Sequence, residues 1–220
     1  ELSYTLLTKG GDQFRNFDNN FLEESVFATG VTTRAVWNHL QPYIRKSQFA
    51  LIVWEPSGDS DSYRISHLTF QEYFAASVVA EKGIAADGWG VFRKSISGDA
   101  EYAIGSLVKS SKFLVTTEMC LELLQNSDRG RVGVFASEML KPDEKGMVKV
   151  EGVSAVDRSG VNTLLVLVEA VAEGRQLHLE MKNCGLNDAA ISAFDRFANH
   201  GSLSALTGLN LSENRGLGGQ

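Results

Sequence analysis

No run of the 220-residue chain is long and apolar enough to cross a bilayer. The longest apolar stretch, residues 163–172, is interrupted by Glu169, and no signal-peptide pattern is visible. Cysteine is scarce. Cys120 and Cys184 are the two present, and neither belongs to a C-x-x-C pair. They read as free thiols of a reducing, cytoplasmic compartment rather than as a disulfide framework. Basic side chains are outnumbered, 21 against 27 acidic ones, for a formal charge of −6. A general affinity for nucleic acid or anionic membrane needs clustered Lys and Arg, so neither is expected as a partner.

Catalytic signatures are lacking too. There is no G-x-x-x-x-G-K-[ST] loop to cradle phosphates, no H-E-x-x-H and no G-x-S-x-G. His39, His67, His178 and His200 are scattered, without a local Cys or carboxylate at metal-ligand spacing. No nucleophile–base pair supports a hydrolase, so the chain is expected to be neither an enzyme nor a metal protein. What is present is ordinary globular composition, 43% hydrophobic and 22% charged, in a length that suits one large or two to three small domains.

Residues 1–19 read as irregular after Leu6-Leu7. Phe21, Leu22, Val26 and Phe27 follow at helical spacing with Asn20 as cap. A second helix starts after the cap Thr32 and carries Ala35, Val36, Leu40 and Tyr43. Pro42 disfavours helix just before it, so this helix is expected to fade near Leu40. Residues 49–54 (Phe-Ala-Leu-Ile-Val-Trp) are β-branched and apolar, residues 56–62 are turn chemistry, and residues 63–66 pair back as a hairpin. A helix then begins with Phe70, Tyr73 and Phe74, whose spacing assigns them to the core. Helix, helix, hairpin, helix is the order of a winged-helix unit.

Residues 83–90 read as a Gly-rich linker. From residue 91 the period is helical, with stops near residues 126–128, at Pro142 and at Gly174. The segment 147–156 alternates weakly and is compatible with a strand pair. The last part repeats. Leu179, Met181, Cys184 and Leu186 lie in the frame L-x-L-x-x-C-x-L, and Leu209, Leu211 and Asn214 recur 30 residues later. Residues 189–197 between them have the period of a helix. Each unit is therefore strand, Cys/Asn turn, helix, the pattern of a leucine-rich repeat. The sequon Asn210-Leu211-Ser212 is incidental, because Leu211 belongs to that frame. An array of this kind exposes its last apolar face unless capped, so the chain is expected to be part of a longer protein.

The stretch Ile65-Ser66-His67-Leu68-Thr69-Phe70-Gln71-Glu72-Tyr73-Phe74-Ala75-Ala76 resembles the end of the winged-helix domain of NACHT-type signal-transduction NTPases, the NLR sensors among them. The family has an aromatic residue where Ile65 stands here. The final repeats resemble the ribonuclease-inhibitor subtype. The resemblance touches the whole chain, with sharp motifs over 63–81 and 176–217. It implies an α+β, mainly α chain: a winged-helix domain over 1–82, a helical domain over 83–174, and the start of an α/β leucine-rich repeat solenoid over 175–220. It implies that His67 reaches the β-phosphate of ADP in the closed state. An imidazole at a strand end before a helix can donate to phosphate, more strongly when protonated. ADP or ATP would be held by an NTPase core elsewhere in the parent protein, with no cofactor for this chain alone. Further expected partners are a protein ligand of the repeats and copies of the parent assembling on activation. Alternative readings are a repeat scaffold without nucleotide sensing and a DNA-binding winged helix. The second is disfavoured by a single Arg34 on the helix over 32–40 and by Asp59 and Asp61 in the wing.

Overall fold

The computed structural model describes residues 2–9, 15–29, 31–57, 60–82, 88–97, 104–150, 153, 155–171, 175–199 and 205–215. Among the described residues the protein is mainly helical with two small sheets. It divides into two compact units, Glu1–Val79 and Ala80–Gln220. Among the described residues no helix is long and apolar enough to cross a membrane.

The first unit opens with helix α1 (Leu2–Lys9), where Leu6 and Leu7 are fully buried. Strand β1 (Asn16–Asp18) follows inside the stretch expected to be irregular. It is too short to carry a period-two signal, and long-range pairing with β3 defines it. The next helix is capped by Asp18, whose carboxylate accepts from Phe21 N at 2.8 Å, rather than by Asn20. Its turns run from α2 (Asn19–Phe21) through a π turn (Leu22–Val26) to a 3-10 turn (Phe27–Thr29). Helix α3 (Val31–Arg45) passes through Pro42 instead of ending near Leu40. Pro42 is exposed, so the one missing backbone bond faces water, while buried Trp37 and Ile44 anchor the helix on both sides. Its buried stripe is therefore Trp37 and Ile44. Ala35, Val36 and Tyr43 point outward.

Strands β2 (Ile52–Ser57) and β3 (Ser60–Ile65) form the expected hairpin, each displaced from the expected span. The turn residues Gly58 and Asp59 lie outside the described residues. The antiparallel sheet has the order β1-β3-β2, with Phe17 opposite Tyr63 and Trp54 also opposite Tyr63. Phe17, Trp37 and Tyr63 form the aromatic centre of the core, with ring centroids 5.0–5.8 Å apart. At the sheet's far end, Asp61 accepts from Trp54 Nε1 at 2.9 Å and pairs with Arg45, while Gln41 donates to the Tyr63 hydroxyl at 2.9 Å.

Helix α4 (Leu68–Lys82) corrects the expectation for its aromatics. Phe70, Tyr73 and Phe74 are 43%, 46% and 41% exposed. The buried positions are Gln71, Glu72, Ala75, Ala76, Val79 and Ala80. Both sets have helical spacing, and the inward face combines Ala75, Ala76 and Ala80 with Gln71, Glu72 and Val79. Periodicity identified the helix but gave the wrong rotation. Burial raises the Glu72 carboxyl above its ordinary pKa.

The second unit holds α5 (Gly88–Ser97), α6 (Ile104–Lys109), α7 (Ser111–Ser127) and α8 (Arg129–Leu140). Gly88, Trp89 and Gly90 begin α5 although they were expected in the linker; residues 83–87 are outside the described set. Trp89 meets Phe135 edge-on at 5.2 Å, and Phe92 meets Phe113 at 5.9 Å. Helix α9 (Arg158–Ala170), capped by Asp157 through Gly160 N at 2.8 Å, packs on α6, α7 and α8. The second sheet is parallel, in the order β4-β5-β6. Its strands are β4 (Met147–Lys149), β5 (Leu177–Glu180) and β6 (Leu206–Asn210). Helices α9 and α10 (Asp188–Asn199) are the crossovers. The sheet thus starts at Met147, ahead of residue 175, where the repeats were expected to begin.

Candidate functional site

His67 stands between β3 and α4. Four bonds fix the junction's backbone. Ile65 N donates to Arg15 O at 3.1 Å, and Ser66 N donates to Leu51 O at 3.0 Å. Arg15 Nη2 reaches both the Ile65 and Ser66 carbonyls, at 3.0 and 2.9 Å. The His67 carbonyl accepts from Gln71 N at 3.4 Å and so opens the helix. Its imidazole is exposed and meets the Phe70 ring edge-on at 5.7 Å. The first turn of this 15-residue helix carries no acidic residue. His67, one residue before Leu68, stands at the N-terminal, positive end of the helix dipole. Arg15 Nε and Ser66 Oγ, both buried at this junction, have no hydrogen-bond partner among the described residues.

His39 packs against Tyr43 on α3, His178 lies on β5, and His200 is outside the described residues. No group of three or more His, Cys, Asp or Glu able to hold a metal occurs among the described residues. On α3, Arg34 is held by Glu23 and lies 5.0 Å above the Phe27 ring, and Arg45 is held by Asp61. Both arginines of that helix are thus engaged by acids of their own unit.

The second candidate surface is the parallel sheet. Leu177, Leu179, Met181, Cys184 and Leu186 are fully buried, as their frame requires. Leu209 is 40% exposed, the outer strand being covered less than β5. Asn214, buried in the turn after β6, accepts through Oδ1 from Cys184 N at 2.8 Å and Leu186 N at 3.2 Å. Its Nδ2 donates to Met181 O at 2.7 Å and Leu211 O at 2.8 Å. Asn183 and Glu213, at matching turn positions, both take left-handed φ, 50° and 65°.

Sequence reasoning missed a third copy of this frame. Val148, Val150 and Val153 stand 31 residues before Leu179, Met181 and Cys184, and all three are buried. Val150 N donates to Glu180 O at 2.9 Å just as Met181 N donates to Asn210 O at 2.8 Å. The signal was V-x-V-x-x-V in place of leucines, legible once any branched aliphatic is allowed at the frame positions. Strand alternation places Met147, Lys149, His178, Glu180, Gly208 and Asn210 on the opposite face. No family model, curated protein or solved structure matches the chain.

Proposed function

We propose that this chain is the regulatory and interaction segment of a nucleotide-dependent signalling switch similar to the NACHT/NLR type. In this reading residues 1–82 are a winged-helix domain, 83–174 a helical relay, and 175–220 leucine-rich repeats joined by the cryptic copy at Val148. The observation that carries it is the exposed His67 imidazole at the N-terminal end of α4, with no acid in the first helical turn. That arrangement suits a phosphate oxygen of ADP held by the NTPase core of the parent protein, and cytoplasmic action follows from the same reading. The repeats bind a protein ligand or fold back to inhibit, and copies assemble on activation. The pairing of Arg34 and Arg45 with acids counts against the DNA-binding alternative.

The test compares ADP binding to the parent protein with and without His67→Leu. One hydrogen bond to a charged group is worth about 1.5–3 kcal/mol, so affinity should fall roughly tenfold or more. Unchanged affinity in a folded variant overturns the nucleotide reading. What then stands is the second reading, a repeat scaffold without nucleotide sensing, which the parallel backbone ladder around Met181 favours by itself.

A further inference from the structure

The first unit contains a cavity of about 370 Å³ whose lining is almost wholly carbon. Its floor is made by core side chains, Leu22, Val26, Trp37 and Ile65. Its rim is made by Val36 from α3, 53% exposed, and by Phe70 and Phe74 from α4. The α4 aromatics that turn away from the helix's buried face thus border a half-open apolar pocket in the first unit. A cavity of this volume lies within the roughly 300–1,000 Å³ range of small-molecule pockets.

The lining chemistry selects the occupant. Among the described residues no charged side chain lines the cavity; Ser3, Thr32 and Thr33 supply hydroxyls to it. A charged molecule entering would lose hydration with no counter-charge to replace it, which costs several kcal/mol or more. A neutral ligand loses little and gains contact with aliphatic and aromatic carbon. We propose that this cavity binds a neutral, largely apolar small molecule the size of a few linked rings, entering between Val36 and Phe74, with the threonine hydroxyls as its polar contacts. The nucleotide reading is not needed for this site: His67 does not line it, although its ring meets Phe70, which does.

The test is calorimetric titration of the full chain with phenylnaphthylamine, a neutral aromatic probe, beside anionic anilinonaphthalene sulfonate. Saturable one-to-one uptake of the neutral probe is expected, with the anion much weaker. Val36→Phe, filling the mouth from an exposed helical position, should weaken binding by about tenfold or more. Val91→Phe, at a similarly exposed position on α5 that does not line the cavity, should leave it unchanged. Should Val36→Phe fail to fold by circular dichroism, Phe74→Ser replaces it and should likewise weaken binding. Absence of saturable binding overturns the proposal, as does equal affinity in Val36→Phe and Val91→Phe. Equal uptake of the anion would mean a generally loosened surface. Sedimentation showing self-association that excludes the probe would assign the mouth to a contact between copies instead.

Discussion

Asn214 and Cys184 occupy the same place in successive strand-to-turn segments and make the same bonds with different atoms. Asn214 Nδ2 donates to Met181 O at 2.7 Å and to Ser212 O at 3.4 Å. Cys184 Sγ donates to Val150 O at 3.2 Å and to Lys182 O at 3.4 Å. Each side chain ties its own turn to the end of the preceding strand. Asn adds an acceptor, which serves two amides of the previous turn, and a thiol is a weak substitute for that.

Asn214→Ala should therefore cost more than Cys184→Ala. The first strands two buried amides and a carbonyl, and each unsatisfied buried group costs about 1–3 kcal/mol. The second loses a weak S–H donor and a small volume. Asn214→Cys should fall between them, restoring a donor to Met181 O but no acceptor. Urea unfolding of the three variants measures the order. Equal costs would show that the turn is held by packing alone.

Both thiols should resist alkylation at neutral pH. Burial pushes Cys120 up to about 12, against a small lowering by Arg131, and burial also raises Cys184. The thiolate is the reactive form, and a raised pKa leaves little of it. Iodoacetamide labelling followed by mass spectrometry should find both cysteines unmodified in the native chain and labelled in urea. Rapid native labelling of either would mean that its segment opens locally.

Phe74→Ala should leave the melting temperature nearly unchanged, whereas Phe135→Ala should lower it steeply. Phe74 is 41% exposed and Phe135 fully buried. Truncating a buried Phe costs about 3–5 kcal/mol, while substitutions at exposed positions usually fall within about 0.5 kcal/mol. A large loss at Phe74 would restore it to a core role.

The contrast also marks what was legible in the sequence. Helices α7, α8 and α10 and the β2–β3 hairpin could be read because periodicity and turn residues are local signals. The frame at Leu179 was readable because identical spacing repeats. What escaped was set by tertiary structure. β1 exists through pairing with β3, and α3 runs on through Pro42 because Ile44 is buried beyond it. The rotation of α4 is decided by which face its surroundings bury: i, i+3, i+4 spacing fits the aromatics and the alanines equally. His67 could be singled out from its motif, but its exposure and the braces from Arg15 could not.

Asp61 should make the first unit's hairpin sensitive to acid. The bond from Trp54 Nε1 leads in holding its carboxyl below the usual carboxylate pKa, with Arg45 assisting. A folded-state pKa below the unfolded value means that protons bind preferentially to the unfolded chain. The contribution is fully present above the unfolded value of about 3.9 and is lost as pH falls through the depressed folded value. The Trp54 indole N–H resonance should hold its position down to pH 4 or so and shift below that. In Asp61→Asn that acid shift should vanish. A shift centred at or above the ordinary carboxylate range would refute the pairing.

Two glycines at the parallel sheet should both lose stability on substitution by alanine, but only one should be rescued by a second change. Gly146, just before β4, has φ +78°, and a Cβ there would lie 2.3 Å from the Gln176 carbonyl oxygen. Its own carbonyl accepts from His178 N at 2.9 Å, so the strand cannot retreat without breaking the ladder. Gly208, on β6, has no such φ; a Cβ there would meet the His178 ring, with Nδ1 at 2.0 Å. That obstacle is a side chain and can be removed. Gly146→Ala should destabilise the second unit by more than about 1 kcal/mol, combining left-handed strain with backbone overlap. No substitution of His178 should rescue it. Gly208→Ala should be destabilising alone and recover most of its loss in the double variant with His178→Ala, a coupling between neighbours that a double-mutant cycle reads directly. Additive effects at Gly208 and His178 would show that the imidazole does not lie across β6, and rescue of Gly146→Ala by the same histidine change would show that the β4 turn is free to move.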